Sequence, residues 1–204
     1  FRSRVNGDWH IYDAESDLIA IQKAGSLYFE QTHFPWLDIT GDDFSGLERA
    51  MDKVMWAALG SPPAPIGFDP EGLQQLAAGA KALRARTDRA ILGLFGGNLM
   101  EWGQFLFRMD GFLMRLAMEP DRMHRFLDAL VEMHLANLET YLSAVGPYID
   151  IILFGDDLGM QSGPQVSPKM YREVFLPRHR MLWQRAKELA DVKVMLHSCG
   201  SVAA

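Results

Sequence analysis

A single cysteine, Cys199, occurs in 204 residues, which excludes an intrachain disulfide and fits a reducing, cytoplasmic setting. Positive charge is not in excess. With 20 Lys and Arg against 26 Asp and Glu, the formal charge of −6 lacks the electrostatic footprint of a nucleic-acid binder. No apolar run approaches the ~20 residues of a membrane span; YIDIILF is interrupted by Asp150. The first residues lack the basic, apolar and small-residue succession of a secretory signal. Neither a GxGxxG fingerprint nor a phosphate-binding P-loop occurs. These absences point to a globular protein with neither nucleic acid nor membrane as partner. What is present, 49% hydrophobic and 23% charged residues, is ordinary for one packed domain. The chain opens on Phe1 and ends just after a strand-like run, an arrangement expected of part of a longer protein.

The first sixty residues scatter Trp9, His10, Tyr12, Phe29, Phe34 and Trp36 without a sustained period, and only SLYFEQ (26–31) reads as a short strand. The prolines of SPPAPIGF (61–68) predict a connection, because they remove backbone donors. Asp69 and Pro70 then form a cap and first-turn pair for a helix with Leu73, Leu76, Ala77, Ala80 and Leu83 on one face. AILGLFG (90–96) reads as a buried strand. From Pro120 to Gly146 a long helix is expected, with one apolar stripe of Met123, Phe126, Leu127, Leu130, Val131, His134, Leu138, Tyr141, Leu142 and Val145. His134, on that stripe, reads as a hydrogen-bonded core histidine, and His10, His33, His124 and His179 as structural or surface groups. YIDIILFG (148–155) predicts a strand. Ser167 and Pro168 start a further helix that Pro177 kinks or divides, and DVKVMLH closes the series as a strand. Strands without polar alternation, separated by long connections, imply an α/β fold with a parallel sheet covered on both faces. A doubly wound sheet and a (β/α)8 barrel both fit this pattern.

In such folds the chemistry lies at the C-terminal ends of strands. Three ends are rich in polar groups. FGGNLMEW (95–102) offers Asn98 among glycines; FGDDLGMQSGPQVSP (154–168) offers Asp156 and Asp157; the last is HSCGS. Side chains two apart on a strand face the same side, so His197 and Cys199 can address one metal ion. The alternative is a Cys acting as a small apolar residue beside a hydrogen-bonded His. The acidic pair is open to two readings as well: one Asp capping the loop through backbone amides, or both serving a substrate. Met100, Met109, Met114, Met118 and Met123 read as core filling rather than as a flexible binding surface.

The run GDDLGMQSGPQVSPKMYREVFLPRHRMLWQRAKELADVKVMLHSCGSV, preceded by FGGNLMEWGQFLFRMDGFLMRLAMEPDRMHRFLDAL, resembles the uroporphyrinogen decarboxylase superfamily, and within it the cobalamin-dependent methyltransferase branch. The resemblance extends over residues 66–202. It implies a (β/α)8 TIM barrel, here a single domain over residues 1–204 that lacks N-terminal and C-terminal parts. It also implies zinc held by a His-x-Cys pair, matched by His197 and Cys199, and a second, distant Cys that this sequence does not contain. Asp157 and Asp156 are the implied catalytic carboxylates, and Gln161 and Asn98 the implied substrate contacts. A corrinoid, cobalamin itself or one held by a partner protein, is the implied methyl carrier, with a thiol or small methylated compound as substrate. Two alternatives stand beside this: metal-independent decarboxylation of uroporphyrinogen, and a non-catalytic module that docks a corrinoid protein.

Overall fold

The computed structural model describes residues 2–56 and 69–202, so the proline-rich run 61–68 lies outside the described residues. Backbone contacts divide the chain into two compact units, Phe1–Ala64 with Glu101–Phe126, and Pro65–Met100 with Leu127–Ala204. No helix among the described residues is long and apolar enough to cross a membrane.

The first unit carries an antiparallel sheet of β1 (Arg2–Val5), β2 (Asp8–Tyr12), β3 (Leu18–Gln22) and β4 (Glu30–Gln31), in that order. The β1–β2 turn is Asn6-Gly7 with φ of 51° and 91°, the two-residue hairpin connection whose positive φ values suit Asn and Gly. Ile11, Ile19 and Ala20 form its apolar centre, with Phe29 and Met55 packed against them. The strand expected over 26–31 shrinks to Glu30–Gln31. A turn closed by Ser26 N–H on the Lys23 carbonyl, and by the Gln22 side-chain amide on the Ser26 carbonyl, breaks the extended run. Leu27, at the tip, is 96% exposed.

Helices α1 (Leu47–Met51) and α4 (Met109–Met118) belong to the same unit. Its second apolar centre is aromatic. Phe126 meets Phe107 edge-on at 5.0 Å and Phe44 at 5.6 Å, with Trp36 and Phe112 around them. Arg122, itself buried, donates to the carbonyls of Ile39 and Gly41 and to Glu119, which ties the intervening loop to the helix start. Core filling holds for Met100 and Met123 but not for Met109, Met114 and Met118, which lie exposed along α4.

The second unit contains α2 (Pro70–Arg84), β5 (Leu92–Gly96), most of α5 (Pro120–Val145), β6 (Ile151–Gly155), α6 (Pro168–Met170), α7 (Leu176–Leu189) and β7 (Lys193–His197). Helix α3 (Met100–Phe107) begins here. The local signals are realised: Asp69 accepts from Gly72 N–H at 2.9 Å, and Ser167 from Met170 N–H at 3.1 Å. On α2 the expected face is half-buried and Leu83 is 50% exposed. Pro177 has no N–H to donate backward, and the chain passes through a π-helical turn, Tyr171–Phe175, before α7.

β5, β6 and β7 form a parallel sheet in sequence order, with Gly93, Ile152 and Val194 in one row and Leu94, Leu153 and Met195 in the next. The face of Ile152 and Phe154 is buried under helices, and α5 comes so close that a Cβ on Gly93 would lie 2.6 Å from the Tyr141 hydroxyl. The whole expected stripe of α5 is buried. The opposite sheet face was expected to be covered too. Instead Leu92, Leu94 and Met195 are exposed by 38%, 48% and 48%, because no described residue packs over them.

Candidate metal and substrate site

Each strand of the parallel sheet delivers polar residues at its C-terminal end. β5 ends in Gly96-Gly97, with φ of 90° and 69°, and turns through Asn98 into α3. β6 ends at Gly155 and continues as Asp156-Asp157; β7 ends at His197, opposite Gly155. The pairing of β6 and β7 then runs on by other means. Asp156 N–H donates to the His197 carbonyl at 3.0 Å, Leu158 N–H to Ser198 Oγ at 3.0 Å, and Gly159 N–H to the Cys199 carbonyl at 3.2 Å. Ser201 N–H donates to the Met160 carbonyl at 2.8 Å. The two loops touch at Gly159 and Gly200. A Cβ on Gly200, whose φ is 82°, would fall 2.3 Å from the Gly159 carbonyl carbon.

This cross-linking gathers three sequence-predicted residues. His197 Nε2 stands 3.3 Å from Cys199 Sγ and 3.7 Å from Asp157 Oδ1, and Asp157 Oδ1 accepts from Cys199 N–H at 2.7 Å. The side chains of His197 and Asp157 are 58% and 32% exposed, so the cluster opens to solvent. An imidazole nitrogen, a thiol sulfur and a carboxylate oxygen in one small group are a donor set suited to zinc.

Asp156 has another task. It is fully buried and accepts from the N–H groups of Leu99 and Met100, at 3.2 Å and 2.9 Å, at the start of α3, where a carboxylate satisfies orphan amides and meets the positive helix end. Its other oxygen lies 3.2 Å from His179 Nε2. The His179 ring stacks on Trp183 at 5.3 Å, and its Nδ1 is 3.3 Å from the Tyr171 hydroxyl. Both ring nitrogens of His179 thus have a polar partner, the Asp156 carboxylate at one and the Tyr171 hydroxyl at the other. Asp156 thus caps backbone amides, as one of the two readings had it, and Asp157 also accepts from a backbone N–H, that of Cys199.

The Asn98 side chain lies against the end of β6, where a Cβ on Gly155 would approach its Nδ2 to 3.2 Å. The Asn98 backbone carbonyl accepts from His134 Nε2 at 3.1 Å, and burial pushes the His134 imidazole down to about 4. Gln161 occupies an exposed turn closed by Met160 N–H on the Gly163 carbonyl at 2.7 Å. Gln165, which sequence reasoning passed over, donates its amide to the Asp157 carbonyl at 2.7 Å. His179, read from the sequence as a structural or surface group, is buried, and Tyr171 was passed over; they are 8 residues apart from each other and 23 and 15 from Asp156, so no local pattern joins them. A second acidic group, Asp13, Glu15 and Asp17, is met by Lys53, whose Nζ is 2.5 Å from Glu15 and 3.9 Å from Asp17.

The arrangement defines an α/β protein whose polar cluster sits where parallel folds of this type do their chemistry. Residues 70–204, about two-thirds of the sequence, match the family model described as Uroporphyrinogen decarboxylase (URO-D), and the chain belongs to that family. Its members are mostly enzymes, decarboxylases or methyltransferases. No curated protein and no solved structure matches the chain.

Proposed function

We propose that the protein is a zinc-dependent methyltransferase that moves a methyl group between a corrinoid, free or held by a partner protein, and a thiol or small methylated substrate. One observation carries this reading: His197 Nε2 and Cys199 Sγ lie 3.3 Å apart at the mouth of the sheet. Two such ligands on one tetrahedral zinc stand about 3.5 Å apart, given Zn–N near 2.0 Å and Zn–S near 2.3 Å. The donor set fits the ion. Zinc bound there would supply Lewis acidity that holds an acceptor thiol as thiolate.

The residues of this chain supply the rest. His197 and Cys199 present their donor atoms outward, and the Asp157 carboxylate fixes the Cys199 backbone through its N–H. Asp156 sits beneath and holds the start of α3 in place, which sets Asn98 at the ends of β5 and β6. Asn98 and the exposed Gln161 are the side chains that would meet substrate. A corrinoid, if bound, would supply the methyl group and retain the electron pair of its carbon–cobalt bond, while the acceptor thiol would gain the methyl group and lose its proton to solvent. A reducing compartment such as the cytoplasm keeps Cys199 reduced.

The apolar face of Leu92, Leu94, Leu153 and Met195, leading up to His197, supports a further reading of the fold: the three parallel strands are an arc of one (β/α)8 barrel domain, with this face toward its interior. The test is zinc per chain by elemental analysis, alongside Cys199→Ser, followed by demethylation of methylcobalamin in the presence of thiols. Near one zinc in the parent, mostly lost in the variant, together with thiol-dependent demethylation, is the expected result. Metal-free protein that decarboxylates uroporphyrinogen would overturn the proposal, and zinc without methyl transfer would leave a corrinoid-protein docking role.

A further inference from the structure

We propose that Asp157 is itself a metal ligand, so that the loops after β6 and β7 bring a His–Cys–carboxylate donor set to one ion. The inference rests on the zinc reading above and extends it to a residue in a different strand loop.

Distances come first. On one tetrahedral zinc, imidazole nitrogen and carboxylate oxygen are about 3.3 Å apart and nitrogen and sulfur about 3.5 Å, from bond lengths near 2.0 and 2.3 Å. The observed separations from His197 Nε2 are 3.7 Å to Asp157 Oδ1 and 3.3 Å to Cys199 Sγ, and all three donor atoms lie within 4.8 Å of one another. The two separations from His197 Nε2 each need a shift of only a few tenths of an ångström to match a shared ion. The loops that hold it are bonded to each other at Leu158–Ser198, Gly159–Cys199 and Met160–Ser201, so the donors stand on a preformed frame.

Charge is the second argument. A thiolate and a carboxylate together neutralise a divalent cation, and oxygen, nitrogen and sulfur donors are all accepted by zinc. Asp156, the neighbouring carboxylate, is buried against the start of α3 and His179, so Asp157 is the one presented to the mouth. The 58% exposure of the His197 side chain leaves a side on which a fourth, exchangeable ligand can bind, as a catalytic rather than a structural site requires.

Asp157→Asn separates a ligand from a mere hydrogen-bond acceptor, since the amide oxygen still accepts from Cys199 N–H but ligates metal poorly. Purified, metal-depleted protein is titrated with cobalt(II) and followed by its visible and near-ultraviolet absorption. The parent is expected to bind one ion with intense four-coordinate bands and a thiolate charge-transfer band. Asp157→Asn is expected to bind more than about 100-fold more weakly, beyond the 10- to 100-fold that loss of an outer-shell partner costs, with an unchanged melting temperature in the metal-free state. Asp157→Cys should restore affinity and add a second charge-transfer contribution. Unchanged affinity and spectrum in Asp157→Asn, with the charge-transfer band lost in Cys199→Ser, would overturn the role of Asp157 and leave the zinc reading standing. Failure of the parent to bind cobalt or zinc would overturn both.

Discussion

Asp156 and Asp157 are adjacent in sequence and face different surroundings. Removing the Asp156 side chain leaves the Leu99 and Met100 amides and His179 Nε2 without their shared buried partner, and each orphaned polar group costs roughly 1–3 kcal/mol. Asp156→Ala should therefore destabilise the metal-free fold by at least about 2 kcal/mol in denaturant unfolding, whereas Asp157→Asn should leave the metal-free midpoint unmoved. His134 supplies a pH signature. Its folded imidazole is pushed by burial from 6.5 to about 4, so between these values the unfolded chain binds a proton that the folded protein excludes. Stability is thus full above pH 6.5, falls as pH drops from there to about 4, and levels off below. The loss attributable to this one residue is on the order of 3 kcal/mol. Thermal melts across that window should show a shallower acid slope for His134→Gln, which keeps an N–H for the Asn98 carbonyl; parallel slopes would remove His134 as the cause.

At the scale of elements, the helices were legible wherever the signal was local. Asp69-Pro70 and Ser167-Pro168 start helices because a side-chain oxygen and a fixed φ act on the next few residues alone, and the apolar period of α5 needs only itself. The Asn6-Gly7 hairpin was equally local but lies among scattered aromatics, where no long period drew notice to it. SLYFEQ failed for the opposite reason: its composition suits a strand, but the Gln22 side chain and the Lys23 carbonyl turn the chain at Ser26. The loops after β6 and β7 were read as two separate polar ends, and their union at Gly159 and Gly200 appears only in three dimensions. That union makes a prediction. A methyl on Gly200 meets the Gly159 backbone in a conformation that L residues rarely adopt, so Gly200→Ala should force the loops apart. A cost of about 1–3 kcal/mol in stability and a clear loss of zinc stoichiometry are expected; full zinc content in the variant would show that the loop contact does not build the site.

For the molecule as a whole, the parallel order β5–β6–β7 follows from long connections and apolar strands, both visible along the chain. The sequence by itself determined the α/β class, the position of the polar residues at strand ends, and the His197-x-Cys199 pair, because period, capping and spacing act over a few residues. Only the tertiary structure decided which carboxylate is buried and which faces the cluster. Strand register sets opposite directions for Asp156 and Asp157, and the partners that give each its environment, α3 and His179 for one, His197 and Cys199 for the other, are brought from 20 to 60 residues away by packing. It likewise decided that Leu92, Leu94 and Met195 stand exposed. An apolar run shows that a strand can be covered on both faces, but not what packs there.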